Sequence, residues 1–234
     1  MEHELSNRQK CAGKKTDNVL DAGCGVGGTS FFLANNIGCT VEGISLSEAH
    51  VARALEYKKK QDPGNLVKFT CQNFCNTSFP DNSFDVIIGI ESVVHAENKT
   101  DFLKEAFRLL KPGGRLLISD YFLREPQNRA ERSILRKWAD SWAIADFIYE
   151  DNFVEEVKRT GFEPFFLKDI SENVYPSIKL MHRSYYPGIF TVEFQISLEK
   201  EQSGNWKTAN RANININLIT ATYGNINISW LLRI

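Results

Sequence analysis

The sequence predicts an α/β protein built on a doubly wound, mostly parallel sheet with helices on both faces. Three observations predict it. Between Asn18 and Asp120, short apolar runs alternate with segments of helical period, the rhythm of repeated βαβ units. The run DVIIGI at Asp85–Ile90 is apolar almost throughout, as a strand covered on both faces requires. A glycine-rich turn, GCGVGG, lies between the first apolar run and the first helical segment.

Each element follows from its local pattern. Val19–Asp21 reads as the first strand and Thr29–Asn36 as the first helix. Cys39–Ile44 is the second strand, and Ser47–Lys60 is a helix for which Ser47 is the N-cap candidate. Val67–Cys71 and Asp85–Ile90 are the next two strands. Thr100–Leu110 is an amphipathic helix with Phe102, Leu103, Ala106, Phe107 and Leu110 on one stripe. Lys111-Pro-Gly-Gly114 ends that helix, and Arg115–Asp120 is the following strand. Residues 121–150, rich in aromatics, read as a helical insertion. Phe153–Thr160 is a helix with Gly161 as its C-cap, and Glu163–Lys168 a strand.

Further on, Phe190, Val192, Phe194, Ile196 and Leu198 alternate with polar residues, which predicts one more strand. In the Asn-rich stretch 204–234, NININ and NINIS flank Tyr223-Gly224 in the manner of a hairpin, although Asn is a poor strand former. Residues 1–200 are accordingly expected to form one domain and residues 201–234 an atypical tail.

Composition excludes several classes. The chain has 234 residues, 42% hydrophobic and 24% charged, so a folded core is expected rather than disorder. Lys plus Arg number 28 against 29 for Asp plus Glu, a net charge of -1, which argues against a general nucleic-acid binder. Apolar stretches reach about five residues, far below the roughly 20 that span a bilayer, so no transmembrane segment is expected. The polar N-terminus MEHELSNRQK lacks an apolar signal region. Five cysteines (Cys11, Cys24, Cys39, Cys71, Cys75) fit free thiols in a reducing compartment. Cys71 and Cys75 have no histidine clustered near them, and two lone ligands do not make a zinc site. The expectation is a soluble, cytoplasmic protein without a metal.

The chemistry is concentrated in Asn18–Ser30, NVLDAGCGVGGTS. Glycines let backbone amides approach a ligand, and the N-terminus of the helix that follows favours a negative group. Such a turn is shared by dinucleotide-binding enzymes and by plain tight turns. Asp21, two residues before the first glycine, makes the difference: a carboxylate there would repel a pyrophosphate but suits a ligand carrying an ammonium. That charge points away from nicotinamide dinucleotides and toward S-adenosylmethionine.

VLDAGCGVGGTS resembles motif I of the class I S-adenosylmethionine-dependent methyltransferases. VEGISLSEAHVARA (41–54), FCNTSFPDNSFDVIIGIESVVH (74–95) and FLKEAFRLLKPGGRLLISD (102–120) follow in that family's order and spacing. The likeness is strongest to the small-molecule branch of sterol, tocopherol and sugar O-methyltransferases, whose G-I-S/T-L-S and E-S-x-x-H signatures are present. It is strong over about residues 18–120, fair to about 188 and absent from the tail. It implies a Rossmann-like fold, S-adenosyl-L-methionine as cofactor and a small-molecule methyl acceptor, with the insertion as the acceptor-binding part.

The resemblance also implies roles. Asp21, Gly23, Cys24, Gly25 and Gly27 match motif I and would line the methionine part of the cofactor. Where the family usually has an acid for the ribose hydroxyls, this chain has Ser45, with Glu42 three residues earlier. The sterol-like branch also carries a hydroxyl residue there and uses backbone and a nearby Gln; His50 stands where that Gln would be. Ser45, Leu46 and His50 are therefore placed near the ribose. Asn73 and Phe74 stand at the Asp–Ala pair that holds adenine: the Asn73 carbonyl oxygen could accept the N6 hydrogen, and the Phe74 amide could meet a ring nitrogen. Glu91 and Ser92 follow the fourth strand, at the edge where open α/β sheets bind ligands.

His95, in E-S-V-V-H, and Asp120, ending the next strand, are the catalytic candidates. His95 could take a proton from an acceptor hydroxyl and Asp120 could orient it. Sugar O-methyltransferases of this branch carry a His–His pair at that place; here Val94 replaces the first. Asp81 and Asp85 read as structural parts of the PDNSFD turn. Trp138, Trp142, Phe147, Tyr175, Tyr185 and Tyr186 could line an acceptor pocket or pack as ordinary core. Only 17 residues precede Asn18, where relatives carry a longer stretch with a helix that closes over the cofactor, so a partial chain is one expectation. Two rival readings stay open: a nicotinamide-linked oxidoreductase and a non-catalytic cofactor-binding module.

Overall fold

The computed structural model describes residues 14–61, 64–123, 128–173, 176, 179–180 and 228–233. Seven strands form one sheet: β1 (Asn18–Ala22), β2 (Thr40–Ser45), β3 (Val67–Cys71), β4 (Phe84–Ile90), β5 (Leu110–Asp120), β6 (Glu163–Asp169) and β7 (Ile228–Arg233). Among the described residues, α1 (Gly28–Asn36), α2 (Glu48–Gln61), α3 (Lys99–Leu109), α4 (Arg129–Ser141) and α5 (Glu150–Thr160) accompany them. The spatial order is β3-β2-β1-β4-β5-β7-β6. The first five strands run parallel, and β7 is antiparallel to both of its neighbours.

The order reverses beside β1, because the chain winds outward through β2 and β3 and then returns to add β4 and β5 on the other side. In open α/β sheets the carboxyl ends of the strands at that reversal leave a crevice where ligands bind. Residues alternate between faces along each strand. Leu20, Ala22 and Ile87 join one core cluster with Phe102, Leu103 and Ala106 of α3 and Phe153 and Val157 of α5. Val19, Val86 and Ile88 join another with Phe31 and Ala34 of α1 and Val51 and Ala54 of α2. Helices thus cover both faces, as the apolar run at Asp85–Ile90 requires.

The sequence reading differs from the structure in three places. The helix ends at Leu109, and Leu110 already pairs with Phe84; the Lys-Pro-Gly-Gly segment bulges out of the ladder before Arg115 pairs with Val86. In the insertion only Arg129–Ser141 is α-helical within 128–149, and Leu123 bridges Tyr149 in extended backbone. The Asn-rich tail, from which no confident strand could be read, supplies β7 between β5 and β6. The strand at Phe190–Leu198, the hairpin around Tyr223-Gly224, and Cys11, Tyr175, Tyr185 and Tyr186 lie outside the described residues.

Asp81 and Asp85 are structural, as read. Arg108 donates to Asp81 at 2.6 Å, to Glu105 at 2.6 Å and to the Phe79 carbonyl at 2.9 Å. Asp85 accepts from Lys111 and from the Asn18 amide, each at 2.8 Å, fastening the amino ends of β1, β4 and β5. No helix among the described residues is long and apolar enough to cross a membrane.

Phe102 carries much of one core: it is 1% exposed and meets Phe74 edge-on at 5.4 Å. Phe102→Ala should cost about 3–5 kcal/mol, the usual range for emptying a buried phenylalanine site. A urea midpoint unchanged from wild type would contradict this packing.

Candidate functional site

The carboxyl ends of β1, β2, β4 and β5 bring Asp21, Ser45, Glu91 and Asp120 to one side of the sheet, and the glycine turn crosses it. The turn is anchored by Gly23 and Cys24, whose amides donate to the Ile44 carbonyl at 3.0 and 2.9 Å. Two of its glycines are dictated by packing. A Cβ on Gly23 would lie 2.4 Å from the Ser92 Cβ, and one on Gly27 would lie 2.5 Å from the Phe69 ring. Gly25 is different. Its φ is +53°, yet a Cβ there would meet nothing within 4 Å, so it faces open space. Gly27 has a left-handed backbone at the N-cap of α1, with no side-chain cap on the helix.

Asp21 lies beneath this turn, 2% exposed. It accepts the Ser30 hydroxyl at 2.5 Å, and the Ser30 backbone amide also favours its charged form. The carboxylate therefore sits at the first turn of α1, where the helix dipole favours an anion. Burial nevertheless dominates and pushes its pKa up to about 6. Ser30, wholly buried, was not singled out in the sequence; a Ser one turn into a helix led by an acid-bearing strand is the signal it offered. Burial first, then the charge of Asp21, pushes the Cys24 thiol up to about 12, so it stays protonated.

At the end of β2, Ser45 is buried and its hydroxyl accepts the Ser47 amide at 3.2 Å. Leu46 is 65% exposed, and His50 is exposed in the first turn of α2, its amide donating to the Ser47 hydroxyl at 3.3 Å. Asn73 lies in the short turn after β3. Its side-chain carbonyl oxygen accepts the Cys75 amide at 2.9 Å and so closes a local turn with one of its two lone pairs. Phe74 turns its ring into the core, while its N–H has no hydrogen-bond acceptor among the described residues.

Glu91 ends β4 in a left-handed conformation, φ +49°, unusual for a residue with a side chain, and is exposed. Ser92 follows, buried, donating to the Ala22 carbonyl at 2.6 Å and so tying β4 to β1. Val93–His95 form a single 3-10 turn. His95 is exposed, with its amide bonded to the Ser92 carbonyl at 3.1 Å.

The expected His95–Asp120 pair is not formed. Asp120 is 2% exposed, and its two oxygens accept the Tyr121 amide at 2.8 Å and the Val94 amide at 2.9 Å. It grips the backbone of the turn that carries His95 and does not orient the imidazole. Burial pushes its pKa up to about 6, the charge of Glu91 adds to this, and the backbone amides oppose it.

Beside the turn, Tyr121, Leu135, Trp138, Ile144 and Phe147 form a third apolar cluster with Val94. The Trp138 ring lies 4.8 Å from Phe147 and 6.5 Å from Trp142, which is itself 42% exposed. Trp138 and Phe147 are core, and Trp142 is the partly open member. Among the described residues no cluster of His, Cys, Asp and Glu could hold a metal ion.

These features define a doubly wound α/β fold with an acid beneath an open glycine turn. A methyltransferase domain family matches residues 20–118. The chain is 38% identical over 147 residues to 2-methyl-6-phytyl-1,4-hydroquinone methyltransferase of Synechocystis, covering 61% of this chain and 45% of that protein. It is 31% identical over 169 residues to the chloroplastic tocopherol O-methyltransferase of Arabidopsis thaliana, covering 70% and 49%. Geranyl diphosphate C-methyltransferase from Streptomyces coelicolor, solved with S-adenosyl-L-homocysteine, has the same fold: TM-score 0.75 at 17% identity, over 99% of this chain and 78% of that one. The chain resembles the class I S-adenosylmethionine-dependent methyltransferases, and a methyltransferase domain family accounts for its residues 20–118. It spans about half the length of the curated relatives it matches.

The two buried acids give stability a pH signature. Asp21 and Asp120 ionise near 3.8 when unfolded but near 6 when folded, so the folded state holds their protons longer. Their contribution is complete below about pH 3.8 and is lost as pH rises through about 6, at up to about 3 kcal/mol each. Measured against Asp120→Asn, the wild-type urea midpoint should fall across that window. A difference that does not vary with pH would show that the buried acid is already ionised.

Proposed function

We propose that this chain transfers a methyl group from S-adenosylmethionine to a small, apolar or lipid-like acceptor. The observation that carries the proposal is the turn at the reversal of the sheet, where Gly25 faces open space above the buried acid Asp21. An acid, an uncapped helix N-terminus and unencumbered backbone suit a ligand that is itself an ammonium carboxylate. Asp21, Gly23, Cys24, Gly25 and Gly27 would hold its amino-acid part. Ser45, Leu46 and His50 would face the ribose, Asn73 and the Phe74 N–H the adenine, and Glu91 the neighbouring edge.

When bound, S-adenosylmethionine supplies a methyl group already activated on a sulfonium. The chain's own task is then alignment, exclusion of water and, for an oxygen acceptor, removal of a proton. His95 is the group that would take it, standing exposed on a turn whose backbone Asp120 fixes. Asp120 has a supporting role. The apolar cluster with Trp142 at its open side fits an apolar acceptor, as do relatives named for hydroquinone, tocopherol and sterol substrates. The class of the acceptor is inferred from these together.

The test is methyl transfer from labelled S-adenosylmethionine to 2-methyl-6-phytyl-1,4-hydroquinone, γ-tocopherol and a lipid extract, alongside calorimetric titration with the cofactor. Binding without transfer to any of them would reduce the chain to a cofactor-binding module, and absence of binding would overturn the proposal.

Asp21→Asn should weaken cofactor binding at pH 7.5 by about one to two decades, the worth of one charge-assisted contact. The gap should narrow near pH 5, because burial leaves wild-type Asp21 largely protonated below about 6. Equal affinities at pH 7.5 would remove Asp21 from the site. For an oxygen acceptor, His95→Ala should lower turnover by roughly 10²–10⁴-fold with cofactor affinity nearly intact. Full turnover in that variant would leave a purely positioning enzyme.

A further inference from the structure

Lys99 is a residue that no motif picks out. It is the first residue of α3 and 8% exposed. Both facts cost stability, since an ammonium loses its hydration on burial and the N-terminal end of a helix repels a cation. Each of its three donors is nonetheless used. The Nζ donates to the carbonyls of Val94 at 3.1 Å, Ala96 at 3.0 Å and Asp146 at 2.8 Å. Two of these acceptors flank His95 in the chain. The third belongs to the segment between Ile144 and Phe147, which packs against Trp138 in the apolar cluster.

The turn is held from its other side by Asp120, which takes the Val94 amide at 2.9 Å. Burial pushes the Lys99 pKa down, while the charges of Asp120, Asp146 and Cys75 support its charged form. Buried ions are often replaceable by apolar side chains without loss of stability, so stability alone does not account for a lysine here. What an apolar side chain could not do is join three carbonyls from two separate segments at one point.

We propose that Lys99 is a positioning residue, its ammonium coupling the backbone on both sides of His95 to the Asp146 segment of the acceptor-side insertion. The inference rests on the methyltransferase reading for its consequence, but the coupling itself belongs to the protein alone. Lys99 sets where His95 stands relative to the acceptor wall; it touches neither cofactor nor acceptor.

The test uses the full chain with Lys99→Met, which keeps an apolar stem and removes the donors, and Lys99→Arg, which keeps the charge with a different fork. In Lys99→Met, amide exchange should quicken roughly ten- to hundredfold at residues 94–96 and 144–148 together, with β4, β5 and the rest of α3 protected as in wild type. S-adenosylmethionine affinity should stay within about twofold of wild type in both variants, since local opening leaves the glycine turn alone. With 2-methyl-6-phytyl-1,4-hydroquinone as acceptor, kcat should fall by about 10²-fold in Lys99→Met, as a misplaced group costs, with KM little changed. Lys99→Arg should recover part of both effects, and it carries the test if Lys99→Met does not fold. Exchange quickening throughout the chain in step with a lower melting temperature would make Lys99 merely structural and overturn the proposal. Wild-type exchange in both variants would overturn it too. If wild type binds S-adenosylmethionine but gives no product, the functional proposal loses that acceptor, and the exchange result still decides the coupling.

Discussion

The carboxyl ends of β1 and β4 can lie side by side only because position 23 carries no side chain. A Cβ there would stand 2.4 Å from that of Ser92, whose hydroxyl is bonded to the Ala22 carbonyl 2.6 Å away. This contact sits at the reversal of strand order, so it fixes the floor of the crevice that the topology creates. From it follow the direction in which the glycine turn leaves β1, the burial of Asp21 under that turn, and the strained backbone of Glu91 just before Ser92. The Val93–His95 turn begins from the same point.

Charge at this edge is arranged at a cost. Two carboxyls and one ammonium are buried within a few residues of the strand ends, where apolar side chains would be cheaper. Each is held by backbone or hydroxyl partners: Asp21 by Ser30, Asp120 by the amides of Tyr121 and Val94, Lys99 by three carbonyls. Asp21 sits at the first turn of α1, held by the Ser30 hydroxyl. Asp120 and Lys99 instead act on one short turn, one through its N–H and the other through its carbonyls.

The opposite edge of the sheet shows the contrast. Asp85 with Lys111 and Asn18, and Arg108 with Asp81 and the buried Glu105, pair charge with charge. They hold loops and strand starts together and leave no acid without a nearby cation. Polar residues on the two edges are similar in kind and differ in partner type: carboxylate with cation on one, backbone and hydroxyl partners on the other.

How much of this was legible in the sequence depends on the range over which each feature is decided. The strands, the helices on both faces, the Gly161 cap and the glycine turn were readable because apolar period, capping and turn chemistry act over a few neighbouring residues. The acid before the glycines was readable as a charge in a known local frame. Not readable was β7, because Ile228–Arg233 is recruited by edges that β5 and β6 offer from far along the chain, while its Asn-rich surroundings disfavour a strand. Nor was the difference between Gly25 and its neighbours readable, since glycine in a turn looks alike whether a side chain or open space stands over it. His95 and Asp120 were correctly brought to one edge by strand order, but which group each would bond was decided by depth and by Lys99. That lysine, polar and at a helix start, looks solvent-facing until tertiary packing closes over it. The sequence by itself determined the fold class and the sheet edge at which the candidate residues meet, because periodicity and strand order are local and topological. Only the tertiary structure decided which polar groups are buried and what holds them, because hydrogen-bond partners distant in sequence meet only when the sheet is assembled.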